Sequence, residues 1–119
     1  MTNLFICPQK EGNIFGTPTL NLFNTRVVCL DDLEESITNE YVTQALHDSK
    51  NIILELSNQS TDMGYIAHNA IQLGKTVVGV YKKGIKLDAV FFQIKADNWY
   101  LLEYSTGEEV LEFIKSIHH

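Results

Sequence analysis

Three hydroxyls, two amides and a glycine crowd one short stretch, Leu56-Ser57-Asn58-Gln59-Ser60-Thr61-Asp62-Met63-Gly64-Tyr65-Ile66. An apolar run ends where the stretch begins, and a helical period starts within it. Ser57, Ser60 and Thr61 bring hydroxyls, Asn58 and Gln59 bring amides, and the first helical turn brings free backbone N–H groups. Those are the ingredients for holding a phosphate or carboxylate. Gly64 lets the backbone come close to a ligand, and the expected contacts are Ser57, Asn58, Ser60, Thr61, Met63, Gly64 and Tyr65. A purely structural alternative stands beside this one: Ser60 or Thr61 caps the helix and Asn58 makes the turn. Asp62 suits the positive end of the helix in either case.

The elements that must position this loop alternate between short apolar runs and helical periods. Strands are expected at 3–7 (NLFIC), 26–30 (RVVCL), 51–56 (NIILEL), 75–81 (KTVVGVY) and 99–104 (WYLLEY). Residues 35–48 place Ile37, Tyr41, Val42, Ala45 and Leu46 on one helical stripe. The helix after 51–56 should run to about Leu73, with Gly74 as its stop. Residues 87–94 suit a further helix, and Thr106 with Glu109 forms a capping box for a last one through Ile117. Strands alternating with helices imply an α/β fold with a parallel sheet and right-handed crossovers. Five strands in this rhythm fit a single-domain, flavodoxin- or Rossmann-like three-layer sandwich spanning 1–119, in the order 2-1-3-4-5. Ligands of such sheets sit beyond the carboxyl ends of the strands, at the switch between strands 1 and 3. That rule selects SNQST and the loop after strand 1, CPQKEGN, with Cys7, Pro8 and Gln9 as its candidate contacts. Residues 12–24 are too rich in Gly, Pro, Asn and Thr for a full helix and suggest a truncated helix or a flap.

Composition narrows the function classes. The chain has 119 residues, 45% of them hydrophobic and 20% charged, which suits one soluble domain. No run approaches the ~20 apolar residues of a membrane span and nothing resembles a signal peptide, so the expected location is the cytoplasm, with no membrane partner. The net charge is −6, and the nine Lys and Arg read as scattered, which disfavours a nucleic acid polymer but not a single nucleotide. Cys7 and Cys29 lie inside apolar runs without metal or redox spacing and read as buried strand thiols. No cofactor or metal is expected. His118 and His119 could be the remains of a purification tag.

The segment HDSKNIILELSNQSTDMGYIAHNAIQLGKTVVGVY resembles the core of the nucleoside 2-deoxyribosyltransferase superfamily, and above all its branch of 2′-deoxynucleoside 5′-monophosphate N-hydrolases. The typical pattern there, "aDvvvAEvSxPSxGvGyElGyAxalgKpvl", aligns without a gap over Tyr41 to Tyr81. WYLLEYSTGEEVLEFI is similar to the closing strand and helix, and LFICPQKEG to the opening "YfAGxirG". Glycosidic cleavage in that superfamily uses paired acids, a nucleophilic glutamate in the first turn of the helix after strand 3 and an aspartate on the preceding helix. Here the glutamate position is Ile66 and the aspartate position is Tyr41. Ser60, at the phosphate-contacting serine, is kept, as are Gly64 and Tyr65. The resemblance also implies a homodimer, in which Asp97 and Asn98 could reach a neighbouring protomer's site. Phe5, Phe15 and Tyr41 are candidates for stacking on a base. Phe91, Phe92, Trp99 and Tyr100 should mostly be core or dimer interface.

Together these features imply a binder of a small nucleotide, or of a nucleotide-derived signal, that has lost its catalytic acids. It would act as a sensor or a sequestering sponge, for instance against a nucleotide immune signal. The alternatives are an active N-glycosidase or deoxyribosyltransferase with relocated acids, and a scaffold without a ligand. Glu55, Asp62, Glu11 and His68 are the groups at hand for relocated chemistry, and none is well placed for it.

Overall fold

A computed structural model describes residues 3–7, 25–29, 35–57 and 61–117. Their order is β1 (Asn3–Cys7), β2 (Thr25–Cys29), α1 (Glu35–Asp48), β3 (Asn51–Glu55), α2 (Thr61–Gln72), β4 (Thr76–Lys82), α3 (Ala89–Gln93), β5 (Trp99–Tyr104) and α4 (Gly107–Ile117). The α/β class with a parallel sheet agrees with the alternation in the sequence. In the sheet the strands lie in the order β2-β1-β3-β4-β5, and every adjacent pair is parallel. Among the described residues no helix is long and apolar enough to cross a membrane.

Burial on both faces explains why β3 and β4 read as continuous apolar runs rather than alternating ones. Leu4, Ile6, Ile52, Leu54 and Val77 turn to one face of the sheet. They pack with Val42, Ala45 and Leu46 of α1, with Met63, Ile66, Ala67 and Ala70 of α2, and with Phe91 of α3. The intervening residues Phe5, Ile53, Val78 and Val80 turn to the other face and are equally buried, as is Val110 of α4. At the amino end of the sheet a buried pair of amides marks the register: Asn51 Nδ2 donates to Asn3 Oδ1 at 3.0 Å, and the two residues are register partners.

Gly74 and Gly79 are required by the geometry for different reasons. Gly74 has φ of 78°, and it closes α2: its N–H donates to Ile71 O at 3.0 Å while Lys75 N–H donates to Ala70 O at 3.2 Å. That pair of bonds is a Schellman cap. Gly79, in the middle of β4, is needed for space. A Cβ there would lie 2.6 Å from Leu56 Cδ1 and 3.0 Å from the Trp99 ring.

The helix expected over 87–94 is shorter, Ala89–Gln93. Asp88 takes the N-cap position and its carboxylate accepts from Val90 N–H at 3.1 Å, while Ile94 is already extended. Trp99 explains the position of this helix. Its indole N–H donates to Phe91 O at 3.1 Å, and its ring stacks on that of Phe91 with centroids 6.3 Å apart.

The two glycines should fail differently. A Cβ at Gly74 meets no described atom within 4 Å, so the effect of Gly74→Val is conformational and lowers stability by about 1–2 kcal/mol. Gly79→Ala forces Leu56 and Trp99 apart and lowers it by about 1–3 kcal/mol. Measured in a Leu56→Ala background, Gly79→Ala should cost less and Gly74→Val should cost the same as in the parent. Urea unfolding of the three single and two double variants checks this, and equal behaviour of the two glycines toward Leu56→Ala contradicts it.

Candidate functional site

The parallel register puts the ends of β3, β4 and β5 and the start of α2 on one rim of the sheet. The described part of that rim is built around a buried carboxylate. Glu55, the last residue of β3, is only 7% exposed. Its Oε1 accepts the Ser57 N–H and its Oε2 accepts the Tyr104 hydroxyl, both at 2.7 Å. Ser57 Oγ in turn accepts the Lys82 N–H at 2.9 Å and lies 3.3 Å from the Tyr104 hydroxyl. The donors and acceptors close a consistent set: Ser57 O–H to Tyr104, Tyr104 O–H to Glu55, and Ser57 N–H back to Glu55. A buried carboxylate is tolerated only where such partners satisfy it.

Burial pushes the Tyr104 hydroxyl well above the ordinary tyrosine range; the Ser57 hydrogen bond pulls it down, and Glu55 pushes it up again. Tyr104 is therefore a neutral donor at any physiological pH. At 2% exposed it is closed to a substrate.

α2 opens at Thr61 at this same end of the sheet, but it packs on the face of Ile52 and Leu54, opposite to that of Glu55. No described atom lies within 4 Å of where a Gly64 Cβ would be. The other expected contacts separate. Cys7 closes β1 and Thr61 opens α2, while Pro8, Gln9, Asn58 and Ser60 lie outside the described residues. Ser57 is half-buried, with its hydroxyl bound to Lys82 and Tyr104. Met63 is fully buried in the core rather than presented to a ligand. Tyr65 is 63% exposed and lines an open groove of about 450 Å³ between α1 and α2, with Thr43, His47, Asn69 and Gln72.

Asp97 and Asn98 lie at the opposite, amino end of the strands. The Asn98 amide donates to Lys75 O at 2.7 Å and Ile71 O at 3.1 Å, and its own carbonyl accepts the Val77 N–H. Within one chain Asn98 fastens the end of α2 to the start of β4 and β5, and both residues lie at the far end of the strands from Ser57. A base-stacking role for Phe5 is corrected outright, because the ring is fully buried within the sheet. Phe15 lies outside the described residues, and so does Glu11. Ile66 is 4% exposed and part of the core. An aliphatic side chain packed there offers no nucleophile.

The Tyr104 hydroxyl is the polar group that the sequence reading missed. One signal was available: a glutamate ending an apolar run must find donors, and a tyrosine ending the last strand is a donor of the right reach. Among the described residues no three His, Cys, Asp or Glu side chains cluster as metal ligands would. No protein-family model matches the chain, and no curated protein matches it.

Tyr104 gives a pH-dependence with a definite sign. Its folded-state ionisation lies above the unfolded value, so its contribution to stability is intact below about pH 10 and is lost as pH rises beyond it. Tyr104→Phe should cost about 1–3 kcal/mol near neutrality, because Glu55 Oε2 loses its donor. The variant should also lose stability less steeply than the parent above about pH 10. Urea midpoints at several pH values test both, and parallel pH profiles would contradict the second.

Proposed function

We propose that the chain binds a small nucleotide or nucleotide-derived signal at the carboxyl ends of β1 and β3 without cleaving it efficiently. In this reading the sheet is the middle of a flavodoxin- or Rossmann-like three-layer sandwich, and the ligand lies at its switch point. The protein works as a sensor or a sequestering sponge, a homodimeric pseudoenzyme in the cytoplasm. The phosphate takes the N–H groups at the start of α2 together with the hydroxyls of Ser60 and Thr61. The observation that carries the reading is Ile66. It stands where the resembled N-hydrolases hold their nucleophile, and it is a packed core residue, 4% exposed, beside a helix start that still suits an anion.

The active N-glycosidase with relocated acids is the second reading, and Glu55 favours it: a buried carboxylate at the same rim. Both oxygens of Glu55 are already held by Ser57 and Tyr104. It is therefore better explained as the fastening of three strands than as an attacking group.

Incubation with a panel of nucleoside mono- and diphosphates separates the readings. Intact nucleotide recovered by mass spectrometry after denaturation supports the first, free base supports the second, and neither supports a scaffold without a ligand. Ser60→Ala should weaken a phosphate ligand by about 1.5–3 kcal/mol, and unchanged affinity in calorimetry would remove the anion loop. Ile66→Glu places a carboxylate in the core. It should lower stability by at least ~3 kcal/mol through lost packing and a buried charge. If Ile66→Glu folds as the parent does, the site is more open than its packing indicates, and base release from deoxynucleoside monophosphates becomes the decisive assay.

A further inference from the structure

The segment between β4 and β5 has a charge opposite to that of the rest of the chain. Residues 82–95 carry Lys82, Lys83, Lys86 and Lys95 against one acid, Asp88. All other residues together carry five Lys and Arg against fourteen Asp and Glu. The same segment presents large apolar side chains to solvent: Phe92 is 59% exposed, Val90 42% and Ile85 38%. Phe92 also lies edge-on to the half-buried Tyr81, with ring centroids 6.4 Å apart. Phe91, Leu87 and Trp99 anchor the segment to the core from beneath, so Phe92 and Val90 are held outward by the neighbour that points in. Gly84, with φ of 94°, makes the turn that carries Ile85 out from the end of β4.

We propose that residues 82–95 are a peripheral docking surface for an anionic lipid bilayer, with Ile85, Val90 and Phe92 entering the headgroup region and the lysines meeting lipid phosphates and carboxylates. This surface is independent of the nucleotide reading. Exposed aliphatic and aromatic side chains flanked by lysine are the composition of an interfacial segment. A protein partner is less well matched by charge, because contact surfaces between proteins are depleted in lysine and enriched in arginine; the segment has four lysines and no arginine. Lysine is a compact point charge suited to a diffuse anionic layer, whereas arginine suits bidentate contacts. Acids more than about 10 Å from the surface are largely screened at 0.1 M salt; Asp97, two residues beyond Lys95, and Glu103, the register partner of Tyr81, lie nearer and oppose the lysines.

The test uses the full chain and vesicles of phosphatidylcholine, with and without roughly one-third phosphatidylserine, in co-sedimentation at low and high salt. The expected result is binding to the serine-lipid vesicles alone, lost at high salt. Lys82→Glu with Lys83→Glu, and separately Phe92→Asp, should each weaken it at least ~tenfold. These side chains are exposed, and thermal melting confirms that each variant is folded. No binding by folded wild type at low salt overturns the proposal, as does binding that both variants retain or that pure phosphatidylcholine supports equally. Capture of a single-stranded oligonucleotide or an acidic polypeptide, with vesicles left unbound, also overturns it. So does a wild-type oligomer that Phe92→Asp breaks while no vesicle is bound.

Discussion

The carboxylate of Glu55 fastens three strands at the rim where a ligand of this fold would lie. It ends β3, receives a hydroxyl from the end of β5, and organises Ser57, whose oxygen takes a backbone N–H from the end of β4. Each of these groups would otherwise be a polar atom without a partner in or near an apolar sheet, so the cluster is satisfied together or not at all. Its result is positional. The chain leaves β3 through Ser57 in a fixed direction.

Much of the architecture is legible because it rests on short-range patterns. The stripe of Val42, Ala45 and Leu46 marks a helix that the structure places at Glu35–Asp48, and Trp99–Tyr104 is bounded as its apolar run suggests. Gly74 is legible for a similar reason: the left-handed position after a helix is a local demand, met by one residue type. Gly79 is not legible, since its glycine answers Leu56 and Trp99 across the sheet rather than anything nearby in sequence. The division between Phe91, buried, and Phe92, exposed, likewise depends on how a five-residue helix leans on Trp99.

The site was legible by residue type and less so by role. Hydroxyl-rich SNQST reads as a ligand loop, yet the hydroxyl of Ser57 serves the Glu55 cluster. Met63 was grouped with its helical neighbours as a contact, but its position turns it into the core. Asp97 and Asn98 are candidate contacts only for a neighbouring protomer's site, since within one chain they lie at the other end of the strands from Ser57. In a parallel sheet the residue before a strand and the residue after one lie at opposite ends, and Asn98 bonds accordingly to the carbonyls of Ile71 and Lys75. The nine cations looked scattered when counted over the whole chain, although four of them fall within fourteen residues.

The buried amide pair of Asn3 and Asn51 has a consequence for biosynthesis. β1 is made first among the described strands, yet it lies inside the sheet, between β2 and β3. Its hydrogen-bonding partner at Asn51 is 48 residues further along. On the ribosome, β1 and β2 can meet early, but the flank of β1 that belongs to β3 stays bare until that strand has emerged. That flank of Leu4, Phe5 and Ile6 thus stays uncovered while the chain grows the 48 residues from Asn3 to Asn51, a period in which an apolar strand edge invites chaperones or aggregation. A polar pair at the register point adds discrimination at that late step: β3 slipped by one residue would bury two amides without each other.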